Sequence, residues 1–474
     1  MRYTAVALDF DGTIARDSVV PAHVVDGLAR LKASGRKLLL VTGRELPELL
    51  AIFPEMALFD RVVAENGALL YTPDSGETRD LGEPPPPALV TLLRERGVPI
   101  SVGDSIIATV EPHETVVLQS IRDLGLERPV IFNKGAVMIL PPGINKASGL
   151  AVALHELGLS ARNLVAVGDA ENDHALLDAA EYSVAVANGI ATLKVAADRV
   201  THEAHGDGVL EVIADLIASD LGKSPPVRTR RKLVLGKDAS GAKVTLATWG
   251  HSVLVTGREK TGKSALVRGM LERLCSQGYQ FCVIDGRGEY LDFEPALVFG
   301  TPEHAPDPLE VFTALEKPDV HAIVGLAAVA PADRAAFQEG LAQGLAALRV
   351  KTGRPHWLAI DDAQELLPRD HPKVGDAADN TIYVTSDPDD VAPDILADVD
   401  VVIACGSAAK GAIDQFAAAL GIGKAAEALR APAADEALVW FHRTDRAPAL
   451  VAFDPGITRK REIRSEVGRL LRRA

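Results

Sequence analysis

The chain is poor in cysteine and in aromatic side chains: three of its 474 residues are Cys, and 4% are Phe, Trp or Tyr. Cys275, Cys282 and Cys405 have neither disulfide nor metal-ligand spacing, which excludes a disulfide-stapled scaffold and suits a reducing, cytoplasmic setting. With few aromatics, the cores must be built from Leu, Val, Ile and Ala. No apolar run reaches the roughly 18–20 residues that a membrane span needs, so no membrane partner is expected. The opening Met1-Arg2-Tyr3-Thr4-Ala5-Val6-Ala7-Leu8-Asp9 meets an acidic residue too soon for a secretory leader and reads as a first β-strand. An excess of positive charge is missing too. The net charge of -15 argues against a uniformly basic nucleic-acid binder, while leaving a local basic patch open.

What is present is ordinary globular composition, 47% hydrophobic and 24% charged. The length allows two to four domains of about 100–200 residues. Short apolar runs over 37–41, 163–167 and 183–186 read as buried strands, and 21–33, 149–157 and 173–180 read as helices. That alternation predicts an α/β fold with a parallel sheet covered on both faces. Gly82-Glu83-Pro84-Pro85-Pro86-Pro87 breaks the pattern and reads as a connection within an inserted cap. A second break over 219–232, with Pro225-Pro226 followed by Arg228, Arg230, Arg231 and Lys232, reads as an interdomain linker. Beyond it, strands are expected over 252–256, 281–284, 357–360, 381–385 and 399–404. No short internal repeat is present, so the two halves are different modules.

In the first half, Ala5-Val6-Ala7-Leu8-Asp9-Phe10-Asp11-Gly12-Thr13 puts two carboxylates at the C-terminal end of a strand, the edge where open α/β sheets bind ligands. Adjacent carboxylates repel unless a cation neutralises them, which points to Mg²⁺ with oxygen ligands. With that charge screened, Asp9 can attack phosphorus. A strand followed by a plain Asp-Gly turn is the competing reading. Val41-Thr42-Gly43-Arg44 offers a hydroxyl and a backbone amide to phosphate oxygens, and Lys146 brings a positive charge to a helix start. Gly168-Asp169-Ala170-Glu171-Asn172-Asp173 returns carboxylates to the same edge.

In this order the residues resemble the haloacid dehalogenase (HAD) superfamily, in its Cof-like IIB branch, over about 1–217. Glu65-Asn66-Gly67, Val186-Ala187-Asn188-Gly189, Ala197-Asp198-Arg199-Val200-Thr201 and Gly206-Asp207-Gly208-Val209 extend the likeness. The resemblance implies a HAD Rossmann-like core over 1–71 and 141–218, with an α+β substrate cap over 72–140. It implies Asp9 as nucleophile and Asp11 as general acid/base, with Thr42, Gly43, Arg44, Lys146 and Asn172 on the substrate phosphate. Mg²⁺ would be held by Asp9, Asp11 through its backbone carbonyl, and Asp169, with Asp173 in support. The substrate expected is a small phosphorylated metabolite, such as a sugar phosphate or phosphoglycolate. His113 in the cap reads as a surface histidine before it reads as a substrate contact.

In the second half, the strand 252–256 runs into Gly257-Arg258-Glu259-Lys260-Thr261-Gly262-Lys263-Ser264, the Gly-x-x-x-x-Gly-Lys-Ser phosphate loop. Gly257, Thr261 and Gly262 would wrap ATP phosphates with backbone amides, Lys263 would meet the β/γ-phosphates, and Ser264 would face Mg²⁺. Trp357-Leu358-Ala359-Ile360-Asp361-Asp362 has Walker B form, with Asp361 toward the metal and Asp362 toward water. Together with Val283-Ile284-Asp285-Gly286-Arg287-Gly288-Glu289-Tyr290, this half is similar to the FtsK/HerA-like ATPases over about 230–455. That implies a P-loop NTPase α/β domain over 233–457, followed by a basic tail over 458–474. Asp362 stands where that group has glutamate, and Ser386 where it has a sensing glutamine, so ATP binding is the firmer expectation and fast hydrolysis the weaker. Arg430, Arg443 and Arg446 are candidate arginine fingers or plain surface arginines. Three readings stay open: a phosphatase fused to an ATP-binding module, a ring-forming DNA translocase with an accessory HAD module, and a nucleotide-sensing regulator. Homo-oligomerisation and nucleic-acid binding are unresolved among them.

Overall fold

A computed structural model describes residues 1–224, 230–370, 379–423, 429–444 and 446–453. It separates into two compact units, Met1–Arg230 and Arg231 onward. Among the described residues, no helix is long and apolar enough to cross a membrane.

The first unit contains strands β1 (Ala5–Leu8), β2 (Lys37–Val41), β3 (Arg61–Ala64), β4 (Leu69–Thr72), β5 (Glu77–Asp80), β6 (Ser101–Val102), β7 (Ile107–Val110), β8 (Val130–Asn133), β9 (Ala136–Ile139), β10 (Leu164–Gly168), β11 (Tyr182–Ala185) and β12 (Arg199–Val200). Eight of them form one sheet in the order β12-β11-β10-β1-β2-β3-β4-β5. Pairing is parallel from β12 to β3 and antiparallel across β4 and β5. Alternate strand residues feed two cores. Val6, Leu8, Leu38 and Leu40 pack with Val24, Leu28 and Leu31 of the helix Ala22–Ala33. Ala5, Ala7, Leu39 and Val41 pack with Leu150, Ala153 and Leu154 of the helix Lys146–Glu156. The chain therefore leaves β1 toward one face and reaches β10 from the other. This makes the C-terminal end of β1 a topological switch point, where such sheets open a crevice.

The smaller sheet, in the order β6-β7-β9-β8, is antiparallel. It packs on the helices Pro87–Glu95 and Glu114–Asp123 through Leu89, Leu93, Ile107, Val117, Ile121 and Ile139. Two boundary expectations change. β5 lies within the cap span expected over 72–140, yet it hydrogen-bonds to β4 in the larger sheet. The proline run therefore leads from that sheet into the cap rather than joining two parts of the cap. At the other break, Arg230 bonds to Asp198, Leu177 and Ala180 of the first unit, and Lys232 already opens a strand. The linker expected over 219–232 is thus shorter at its C-terminal end, and residues 225–229 lie outside the described chain.

The second unit has β13 (Lys232–Asp238), β14 (Lys243–Ala247), β15 (Val253–Thr256), β16 (Phe281–Asp285), β17 (Leu297–Phe299), β18 (Ala322–Gly325), β19 (Trp357–Ile360), β20 (Thr381–Thr385), β21 (Val401–Cys405), β22 (Glu436–Phe441) and β23 (Ala449–Phe453). They form one mixed sheet in the order β14-β13-β23-β22-β21-β15-β20-β19-β16-β18-β17. It is parallel from β21 to β17 and antiparallel on the other side. The tail expected over 458–474 lies outside the described residues.

Glu65 is among the side chains that fasten the smaller sheet to the larger one. Glu65, 1% exposed and following β3, accepts backbone N–H bonds from Asp104 (3.0 Å), Ser105 (2.9 Å) and Ile106 (3.2 Å). Burial raises the pKa of its carboxyl, and the bonds from these amides pull it back. Glu65→Leu would strand three donors, so we expect a stability loss of roughly 2–4 kcal/mol, with Glu65→Gln losing less. Thermal melts followed by circular dichroism measure this; an unchanged midpoint for Glu65→Leu would mean the cap does not depend on this anchor.

Candidate functional site

Strand register assembles the site. Leu8 pairs with Val167 on one side and Leu40 on the other, so the residues just beyond β1, β10 and β2 meet at one edge. Asp9, Thr42 and Asp169 sit there, all buried, and Asp173 joins them from the next turn. Carboxylate oxygens of Asp9, Asp169 and Asp173 lie within 4.8 Å of one another. Lys146, at the first position of its helix and 1% exposed, reaches between two of them. Its Nζ donates to Asp9 Oδ1 at 2.6 Å and to Asp173 Oδ1 at 2.7 Å. Asn145 caps that helix, accepting from the N–H groups of Ala147 and Ser148, which fixes where Lys146 starts.

Burial, then the charges of Asp173 and Asp169, push the Asp9 carboxyl up to about 7, and Lys146 opposes them. Asp169 is also raised, mainly by burial. Burial works against the Lys146 ammonium, but Asp173 and Asp9 outweigh it and hold its pKa up. Three buried carboxylates against one buried ammonium form an all-oxygen donor set short of positive charge. That chemistry fits a hard divalent cation such as Mg²⁺. Asp173 is the least free to ligate it, because its Oδ2 accepts the N–H groups of Asp169 and Ala170, both at 2.9 Å.

The other expected residues divide. The Thr42 hydroxyl accepts the Arg44 N–H at 3.1 Å, and Asn66 N–H bonds to the Thr42 carbonyl. Gly43 leaves room for the Asn66 amide, which a side chain there would strike. Asn172 donates to Asn66 Oδ1 at 2.9 Å rather than reaching the carboxylates. Arg44 was expected on the substrate phosphate. Its planar fork is engaged by Asp11, Nε to Oδ2 at 2.6 Å and Nη2 to Oδ1 at 2.7 Å, and by Ser18 at 2.7 Å. His113 lies half-buried in the turn before the helix Glu114–Asp123.

Several contacts escaped the sequence reading. Thr13 Oγ1 donates to Asp9 at 3.2 Å and to Asp169 at 3.4 Å. Asn188 Nδ2 spans Asp169 Oδ2 at 3.1 Å and the Gly12 carbonyl at 2.8 Å. His205 Nδ1 also meets the Gly12 carbonyl, at 3.0 Å. Lys134, from the cap, pairs with Asp169. Gly12 has a φ of +84°, and a Cβ there would collide with Asp169 and Lys134, so glycine is required on both counts. Asn188 and Thr13 lie in motifs already noted; Lys134 had no such signal.

The model of the haloacid dehalogenase-like hydrolases matches residues 6–83 and 105–213. A phosphoglycolate phosphatase of Methanothermobacter thermautotrophicus is 33% identical over 219 residues, 44% of this chain and 96% of that protein. The chain belongs to the haloacid dehalogenase-like hydrolases. A phosphoglycolate phosphatase of Haloarcula marismortui is 32% identical over 217 residues, 44% of this chain and 94% of its own. Phosphoglycolate phosphatase 2 of Saccharolobus solfataricus is 29% identical over 230 residues, 46% of this chain and 94% of its own. The family match ends at residue 213, so the second unit rests on its own geometry.

There, Gly257 and Gly262 have φ of +150° and +95° and frame the loop from β15 into the helix Lys263–Ser276. Lys263 Nζ folds back on the carbonyls of Gly257 (2.5 Å) and Arg258 (3.1 Å), and Thr261 bonds to the Arg258 carbonyl at 2.7 Å. Ser264 meets Glu289, beyond β16. Asp361, beyond β19, is pushed up to about 8 by burial first, then by Asp362, Asp285 and Glu289. Asp362 sits at φ +54° and is held by Arg287 (3.2 Å) and Gln364 (3.1 Å). Of the three arginine-finger candidates, Arg430 pairs with Glu436 at 2.6 Å and Arg443 with Asp400 at 3.1 Å.

Replacing Lys146 by methionine would leave Asp9 and Asp173 facing each other without their shared cation. We expect turnover to fall at least about a hundredfold, while Mg²⁺ binds more tightly because the lysine no longer competes electrostatically. Calorimetric Mg²⁺ titration beside kinetics checks both halves; weaker Mg²⁺ binding would contradict the charge balance described.

Proposed function

We propose that the first unit is a Mg²⁺-dependent phosphatase acting on a small phosphorylated metabolite. The observation that carries this is the buried Lys146 bridging Asp9 and Asp173 beside Asp169, at the switch point of the sheet. In this reading Asp9 and Asp169, with the Asp11 backbone carbonyl, hold Mg²⁺, which would screen the phosphate charge and help orient it. Lys146 and Thr42 hold the transferring phosphoryl group. Asp9 attacks phosphorus, the ester P–O bond breaks, and Asp11 gives its proton to the departing oxygen. Asp11 then takes a proton from water as that water hydrolyses the aspartyl-phosphate, releasing phosphate and restoring Asp9. Arg44 would position the Asp11 side chain, one of its two bonds opening so that one oxygen can carry the proton. The cap, entered at the proline run and ending near Leu140, covers the substrate. Since the relatives compared above are named phosphoglycolate phosphatases, 2-phosphoglycolate is the first substrate to assay.

Asp9→Asn keeps the shape of the side chain but not its nucleophilicity, and turnover should fall by several orders of magnitude. Activity within about tenfold of wild type, worth only ~1.4 kcal/mol of barrier, would remove Asp9 from that role. The fragment 1–230, extended to keep Arg230 on Asp198, should fold and retain the activity; an inactive fragment beside an active full chain would mean that the units depend on each other.

For the second unit we propose ATP–Mg²⁺ binding at Gly257, Thr261, Gly262, Lys263 and Ser264, with Asp361 on the metal side and Asp362 toward water. The strand–loop–helix geometry and the inward-turned Lys263 support this reading. Turnover would be slow, because Asp362 is short and already engaged by Arg287 and Gln364. Lys263→Ala is expected to weaken binding of a fluorescent ATP analogue at least about tenfold. Equal affinities would dismiss the site, and fast DNA-stimulated hydrolysis would favour a translocase.

A further inference from the structure

Lys134 occupies an unusual place. It and Gly135 form the two-residue turn between β8 and β9, with Asn133 paired to Ala136. Both turn residues are left-handed, Lys134 at φ +49° and Gly135 at φ +87°. Such turns favour Asn or Gly at the first position, so a lysine there gives up backbone comfort that the hairpin itself does not require. Its side chain leaves the cap and pairs with Asp169 in the other sheet.

Asp169 has partners besides this lysine: Asn188 donates to one oxygen, and the Thr13 hydroxyl, shared with Asp9, lies 3.4 Å from the other. The phosphoryl group does not need it, because Lys146 already lies against Asp9. Arg44 is engaged by Asp11 and Ser18. In-line attack by Asp9 puts the leaving oxygen on the far side of phosphorus, away from the strand end and toward the cap. The lysine's half-exposed ammonium, on a flexible stem at the tip of the cap hairpin, reaches Asp169 from the cap side, the side on which the departing group must lie.

We propose that Lys134 is the specificity-determining residue of this site and selects phosphate monoesters whose leaving group bears a carboxylate on the carbon next to the ester oxygen. This rests on the phosphatase reading above. A neutral leaving group gains nothing from the ammonium, whereas a carboxylate gains a charge-assisted hydrogen bond. The contact is made to a group that does not react, so it is formed before and during the transition state and acts mainly on KM.

The test compares 2-phosphoglycolate with ethyl phosphate, which has the same carbon count and lacks the carboxylate. In the full-length protein the ratio of kcat/KM for the two substrates should fall at least about tenfold in Lys134→Ala, chiefly through KM, and be largely kept in Lys134→Arg. Equal losses on both substrates would overturn the proposal, as would an unchanged ratio. A second arm is independent of turnover: calorimetric binding of 2-phosphoglycolate with Mg²⁺ to Asp9→Asn, alone and with Lys134→Ala. Weakening of about tenfold or more supports the role; equal affinity, or no binding to either protein, overturns it. Turnover of ethyl phosphate without any dependence of selectivity on residue 134 would defeat this inference while leaving the phosphatase intact. If neither ester is hydrolysed but binding depends on Lys134, the phosphatase reading fails and the recognition stands.

Discussion

The arrangement depends on one buried ammonium. Lys146 lies between Asp9 and Asp173 with almost no exposure, and each of the three would be costly to bury alone. Their mutual attraction lets the sheet end in charge rather than in apolar packing. It also leaves the cluster short of positive charge, since Asp169 adds a third carboxylate. The site is therefore built to want a cation, and the raised carboxyls of Asp9 and Asp169 express that demand. Helix capping by Asn145, the loop held by Asp173 and the Thr13 hydroxyl between Asp9 and Asp169 all keep those few atoms in register.

What was legible in the sequence is what lies contiguous along it. Asp9, Thr42, Asp169 and Asp361 each follow an apolar run, so the end of a strand and the chemistry at its tip are written in adjacent letters. Most of the central parallel strands were legible for the same reason, but Arg61–Ala64 and Ala322–Gly325, both parallel and largely buried, were not. The strand Glu77–Asp80 was not: all four of its residues are polar and exposed, as suits a sheet edge, and no periodicity marks them. The antiparallel strands β13, β14, β22 and β23 that extend the second sheet were also missed, having no motif at their ends. Arg44 shows a different limit. Its bond to Asp11 joins residues 33 apart in the chain, a pairing that only the fold brings about. Lys134 was out of reach for the same reason, since its partner belongs to another sheet.

Each unit places a lysine at a helix start, and the two lysines differ in what holds them. In the first, a lysine at a helix start is already committed to carboxylates. In the second, a lysine at a helix start rests on the carbonyls of its own loop, Gly257 and Arg258, which are neutral and readily exchanged. A charge held by ions is a fixed part of its site, whereas a charge held by carbonyl dipoles is available to a stronger anion.

The Glu65 anchor has a consequence for how such an enzyme can change over time. The family match breaks between residues 83 and 105, and the segment inside that gap carries the first cap helix and the strand β6. It enters through Pro84–Pro87, whose fixed φ angles set its departure, and it is received at Asp104–Ile106 by a carboxylate that reads only backbone amides. Neither fastening consults the side chains in between. Within the segment Leu89 and Leu93 are tied to the cap core, but its exposed positions can change while Thr42, Asp9 and Lys146 keep theirs, so substitutions there leave the residues at the strand ends in place.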